Sequence, residues 1–218
     1  MTKIIVKTDG GKVRIRLQDE VHAPVSAVAT GAEPLNIPES VTARKALLLP
    51  KRLINLMEIR AESAFRPKEE DVELVYALSG SSSVVPDTLH KLSSNTVVEK
   101  ASRDHIVTSV NGMIEYILKE RGDEPQLIVM LHTHPQSTSK PSKQDERYFE
   151  NAAITAKSLC PDVQVIFGVH AIGSEMVRER QETIKLARNT IRWSSITREH
   201  EVSFYTSGGQ PYEVEIDG

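Results

Sequence analysis

Residues 126–145 read QLIVMLHTHPQSTSKPSKQD. Gln126 to His132 is a nearly unbroken apolar run, the pattern of a central strand buried on both faces. His132 and His134 follow one residue apart at its end. Strand side chains alternate faces, so positions i and i+2 point the same way and the two imidazoles converge. Ser142 opens the next helix and Asp145 lies one turn along it. If the intervening loop folds back, Asp145 supplies a third ligand. Two imidazoles and a carboxylate suit Zn²⁺ and leave a fourth position for water, the arrangement of a hydrolytic zinc. Ser142-x-x-Asp145 also reads as a cap, with serine at the N-cap and an acid at the positive end of the helix dipole. The two readings are compatible, because a cap holds the turn from which Asp145 would bind metal.

Working outward, residues 142–159 show helical spacing, with Phe149, Ala152, Ala153, Ala156 and Leu159 on the inner face. VQVIFGV (163–169) is a second buried strand. Upstream, RDHIVTSVNGMIEYILKERGDEP reads as a helix with the stripe Ile106, Val110, Met113, Ile114 and Ile117, stopped by Gly122 and Pro125. VELVYALSG (72–80) is a strand, and a weaker strand is expected around NTVVE. KALLLPKRLINLMEIRAESAFRP reads as a short strand, then a helix with Pro50 in its first turn and Leu53, Leu56, Met57, Ala61 and Ala64 on one face. Beyond residue 172 the pattern predicts a helix over 175–187 and strands at NTIRWSSI, EVSFY and YEVEI. At the N-terminus, KIIVKTDGGKVRIRL reads as two strands around a glycine turn. Residues 18–44, with Pro24, Gly31, Pro34 and Pro38, read as a linker. The expected organisation is a short N-terminal β extension over 1–45 and a mixed α/β domain over 46–218, a central sheet with flanking helices.

The 218 residues suffice for a self-supporting core without disulfides. Cys160 is the single cysteine and falls in an apolar helical pattern, which suits a buried thiol and a reducing cytoplasm. A net charge of −3 and a pI near 6.2, with basic residues dispersed, give no footprint for nucleic acid. No apolar run reaches membrane-spanning length, so no membrane partner is expected.

The run His132-Thr133-His134-Pro135, six residues, then Ser142-x-x-Asp145 resembles the signature of the JAMM (MPN-plus) metalloproteases, H-[S/T]-H-P-x₆-S-x-x-D, at every position. The Pro141-Ser142 pair before the helix looks like the family's usual Pro-Ser. That family also has a glutamate on an earlier strand, several residues before a Ser-Gly. Here Glu73 precedes Ser79-Gly80, and an acid in so apolar a strand itself asks for an explanation. The resemblance is to prokaryotic and archaeal JAB-domain members and to the proteasome-lid deubiquitinase, and covers about residues 46–218.

The resemblance implies a cytidine-deaminase-like three-layer MPN fold and zinc-assisted hydrolysis of an isopeptide bond. One Zn²⁺ per chain would be held by His132, His134 and Asp145. Glu73 would act as general base and acid, and Ser142 would donate a hydrogen bond to the oxyanion. Thr133 points away from the ligands and reads as structural. The implied substrates are conjugates of ubiquitin-like, β-grasp proteins cleaved after a C-terminal Gly-Gly, with the proteasome or another complex as partner. SGSSS (79–83) reads either as a loop ordered by substrate or as a plain turn. Processing of a small sulfur-carrier precursor, a non-catalytic MPN scaffold and a DNA-repair relative are the alternatives. His22, His90, His105, His170 and His200 show no ligand spacing among themselves, and Trp193 reads as core.

Overall fold

The computed structural model describes residues 3–9, 12–18, 46–64, 73–92, 98–101, 106–135, 138–173 and 179–218. The linker expected over 18–44 lies outside these from residue 19 on, as do His22, His105 and residues 174–178. The chain divides into two compact units, Met1–Val41 and Thr42–Gly218. The first contains an antiparallel hairpin of β1 (Lys3–Asp9) and β2 (Lys12–Gln18), with Val6 opposite Ile15.

In the second unit, β3 (Leu47–Pro50) runs directly into α1 (Lys51–Glu62), with Pro50 at the N-cap, where its missing N–H leaves no bond unmade. β4 (Val75–Gly80), β5 (Thr88–His90), β6 (Val98–Ala101) and β7 (Ile106–Thr108) precede α2 (Val110–Arg121). β8 (Leu127–Pro135), α3 (Lys143–Leu159) and β9 (Gln164–Ile172) form the β-α-β unit at the centre. β10 (Gln181–Ala187), β11 (Thr190–Ser194), β12 (Glu199–Tyr205) and β13 (Val214–Asp217) complete the chain.

Seven strands make one mixed sheet in the order β10-β11-β12-β9-β8-β4-β5, in which only β8 and β9 run parallel. The pleat of β8 sorts its residues. Ile128 and Met130 face α2 and α3 together with Met113, Ile117, Phe149 and Ala152. Leu127, Val129 and Leu131 face α1 and the β3–β13 pair together with Leu53, Met57 and Trp193. Both faces are therefore covered, which explains the unbroken apolar run, and each fully buried Leu or Phe contributes about 1.5–3 kcal/mol. The result is a mixed α/β domain of three layers.

The structure corrects several boundaries. Residues 181–187 form a strand, not a helix: β10 pairs with β11 across the Arg188–Asn189 turn at the sheet's edge. Ile106 belongs to β7 and not to the helical stripe, because the Ser109 hydroxyl accepts from Gly112 N and starts α2 one residue later. Leu56 is 45% exposed, and Ile54 and Glu58 are buried in its place. Leu159 is 40% exposed at the C-terminal end of α3.

SGSSS folds as a bonded turn. Ser81 N donates to Asp87 Oδ2 (3.0 Å) and Arg121 Nη2 to Ser81 Oγ (2.8 Å). A Cβ on Gly80 would lie 2.2 Å from Val85 O and 3.0 Å from Pro86 Cα, both backbone. Gly80→Ala is expected to cost about 1–3 kcal/mol, read as a lower denaturation midpoint at unchanged slope. An unchanged midpoint would contradict the packing described.

The α1 face of the sheet carries a buried polar chain. Tyr76 Oη donates to His170 Nδ1 (2.7 Å), His170 Nε2 to His200 Nδ1 (3.0 Å), and His200 Nε2 to Glu62 Oε1 (3.3 Å). The direction is forced from the outer end, because the Glu62 carboxylate only accepts. Trp193 stacks on His200 with centroids 5.0 Å apart and gives its indole N–H to Glu58 Oε2 (2.9 Å). Burial holds both imidazoles below their ordinary pKa of 6.5, and His200 beside it lowers His170 further. The unfolded chain thus binds more protons below pH 6.5, so this stability is full above that pH and is lost as pH falls through it. The denaturation midpoint of metal-free protein is expected to be lower at about pH 5.5 than at about pH 7.5. Equal midpoints would show that the chain does not stay neutral.

Candidate metal centre

The end of β8 carries the two histidines on the α2–α3 face, and His132 packs against Phe149 with ring centroids 6.4 Å apart. Their Nε2 atoms approach to 3.0 Å. His134 Nδ1 donates to Thr138 O (3.0 Å) in the loop that follows. That bond fixes the tautomer: the ring's proton sits on Nδ1 and the Nε2 lone pair points at His132. Burial and the neighbouring His132 push the His134 pKa down, which favours this neutral form.

Asp145 arrives from α3. Ser142 is its N-cap, and the capping box is complete. Asp145 N donates to Ser142 Oγ (3.2 Å), and Ser142 N donates to Asp145 Oδ2 (2.6 Å). The carboxylate lies 3.3 Å from His132 Nε2 through Oδ1 and 3.7 Å from His134 Nε2 through Oδ2. Burial alone would raise its pKa. The hydrogen bond and charge of His132 and the Ser142 bonds outweigh burial and hold the carboxyl far below the usual range. Asp145 is therefore ionised while it caps the helix.

Glu73 stands two residues before β4 and not within it, and is 8% exposed. Its position is set by the opposite face of β8. Val75 pairs with His132, Thr133 N donates to Leu74 O (2.9 Å), and Leu74 N donates to Thr133 Oγ1 (2.8 Å). This continues the antiparallel pairing past the strand end and sets Glu73 beside His134, with Oε1 3.9 Å from Nε2. Thr133 points away from the histidines, as its position in the strand predicts, and ties the Glu73 segment to β8.

Donors about 2.0–2.1 Å from a tetrahedral cation stand about 3.3 Å apart. The imidazole nitrogens stand 3.0 Å apart, the two oxygens of Asp145 lie 3.3 Å from one and 3.7 Å from the other, and one donor atom from each residue lies within 4.8 Å of the others. Two imidazole nitrogens and an ionised carboxylate at this spacing share either a proton or a cation. The set fits Zn²⁺. Among the described residues this is the one cluster of three or more ligating groups that comes together in this way.

The model of the prokaryotic homologs of the JAB domain matches residues 55–188, more than half of the chain and every residue of this cluster. The chain belongs to that family. No curated protein gives a match. The JAB-domain family includes metalloproteases, and the three-layer arrangement around β8, α3 and β9 carries the cluster at the strand and helix ends. No helix among the described residues is long and apolar enough to cross a membrane. Of the other histidines, His170 points to the face opposite His132 and joins His200. His90 is buried between Ser79 Oγ and Glu120 Oε2, each at 2.7 Å. Neither meeting is readable from spacing, because β-sheet pairing makes the one and the packing of α2 on β5 the other. The role of Thr138 was also illegible, since a backbone carbonyl carries no side-chain signal.

Proposed function

We propose that this JAB-domain protein is a zinc-dependent isopeptidase of the JAMM type, acting in the cytoplasm on conjugates of ubiquitin-like, β-grasp proteins. The observation that carries the reading is the meeting of His132 Nε2, His134 Nε2 and the Asp145 carboxylate with Glu73 beside them. In this reading those three side chains hold one Zn²⁺. When bound, the ion lowers the pKa of water toward neutrality and polarises a carbonyl. Glu73 takes the proton of the attacking water and returns it to the leaving amine. Its placement supports this: Glu73 is buried and its Oε1 lies 3.9 Å from His134 Nε2, at the edge of the ligand cluster. Ser142 steadies the oxyanion of the tetrahedral intermediate. Its hydroxyl oxygen accepts from Asp145 N here, and its proton would be offered to the substrate oxygen. The substrate class, cleavage after Gly-Gly and service within a proteasome-like complex rest on the JAMM resemblance.

Two other readings are kept because one experiment sorts them. The protein is offered an isopeptide-linked β-grasp conjugate and a linear Gly-Gly fusion, with zinc quantified and with and without chelator. Chelator-sensitive cleavage of the conjugate is expected. Cleavage of the linear fusion alone would identify a processing protease for a sulfur-carrier precursor. A zinc-loaded protein that leaves both intact would identify a scaffold.

A further inference from the structure

We propose that Ser139 is a positioning residue that holds His134 in its metal-binding tautomer through a relay to β12. The loop residues Thr138 and Lys140 are exposed, yet Ser139 between them is buried. Its hydroxyl donates to Glu201 Oε1 (2.5 Å). Because that proton is committed, Ser203 Oγ, 2.8 Å away, donates to Ser139, and Thr190 Oγ1 lies within hydrogen-bond distance of Ser203 Oγ (2.8 Å). Tyr205 Oη donates to the Ser139 carbonyl (2.8 Å). Glu201 is itself fixed by Arg192 Nη2 (2.6 Å) and Nε (3.2 Å). Three side chains of one strand thus grip a single loop residue.

The peptide next to that grip carries the Thr138 carbonyl, which takes the His134 Nδ1 proton. The carbonyl is bonded to the imidazole, and the residue that follows it in the same peptide unit is held by β12, which restricts how that unit can turn. Released, it no longer selects Nδ1–H. The ring then also populates the Nε2–H tautomer, whose proton points at His132 Nε2 and removes the lone pair that a cation needs. The strand β12, remote in sequence from the His-x-His pair, therefore sets which His134 nitrogen is free. In its zinc arm this inference rests on the metal-centre reading; in its tautomer arm it does not.

The test uses the full chain in two forms. In metal-free protein, two-bond ¹⁵N–¹H correlation spectra report the His134 tautomer. Zinc affinity is read by competition with a chromogenic chelator. Wild type is expected to show a single Nδ1–H tautomer. Ser139→Ala is expected to show a mixture and about 10-fold weaker zinc, the lower end for partners that orient a metal ligand. Tyr205→Phe, which keeps the ring and removes one tether, is expected to move both readouts the same way by a smaller factor, and it decides the matter should Ser139→Ala fail to fold. A purely structural role would lower the melting temperature and leave the tautomer unmoved. An unaltered Nδ1–H tautomer in the folded variants overturns the proposal. Wild-type protein that shows the tautomer but takes up no zinc would instead sink the metal-centre reading and leave the positioning inference standing.

Discussion

Glu73→Gln is expected to keep one zinc per chain and to lose hydrolysis by about 10²–10⁴-fold, the usual worth of a positioned general base. The substitution is nearly isosteric. The bonds that hold this segment, from Leu74 N to Thr133 Oγ1 and from Thr133 N to Leu74 O, do not involve the Glu73 side chain. The fold and the three ligands should therefore persist while the proton acceptor is gone. Zinc content and turnover measured on the same sample separate the two effects. A zinc-loaded Glu73→Gln protein that cleaves near the wild-type rate would remove Glu73 from the reaction and return the role to water or another group.

The second large effect is expected at Asp145. Asp145→Ala takes away a ligand but also one arm of the capping box, worth about 0.5–2 kcal/mol. Asp145→Asn separates the two roles. An asparagine oxygen still accepts from Ser142 N, so α3 stays capped, while a neutral amide is a poor partner for a divalent cation. Metal-free, Asn keeps the cap but loses the charge that His132 and the Ser142 bonds favour, so it is expected to melt modestly below wild type. It is also expected to bind zinc more than about 100-fold more weakly, beyond the loss usual for an outer partner. His132→Ala should lose metal and activity together. Stoichiometric zinc in Asp145→Asn would take Asp145 out of the ligand set.

The sequence makes the centre of the fold legible for a physical reason. β8 and β9 are covered on both faces, so their apolar runs are unbroken, and α3 begins with a serine whose cap is local. His132, His134, Ser142 and Asp145 are held by local geometry: a pleat and one helical turn. Glu73 is held by one cross-strand pairing from a segment 59 residues upstream, at Leu74 and Thr133. It is read from the JAMM resemblance, which asks for a glutamate on an earlier strand, and its local signal is an acid beside an apolar strand, costly without a role. The misreadings arose where tertiary contacts overrule local preference. β10 carries the helix formers Gln181, Glu182, Lys185, Leu186 and Ala187, but its pairing with β11 makes it an edge strand with both faces wet. In α1 the buried stripe is rotated toward Glu58, because that carboxylate takes the buried Trp193 indole N–H and also meets the exposed Arg180. Ser139 and Glu201 were invisible as a pair, since nothing local announces a contact across 62 residues.

The most direct measurement is a zinc-edge anomalous difference map from crystals of the zinc-loaded protein. One peak is predicted, bounded by His132 Nε2, His134 Nε2 and an Asp145 oxygen at about 2.0–2.2 Å, with Glu73 facing its open side. A peak held by other residues, or a fully loaded protein with none between these three, would contradict the account.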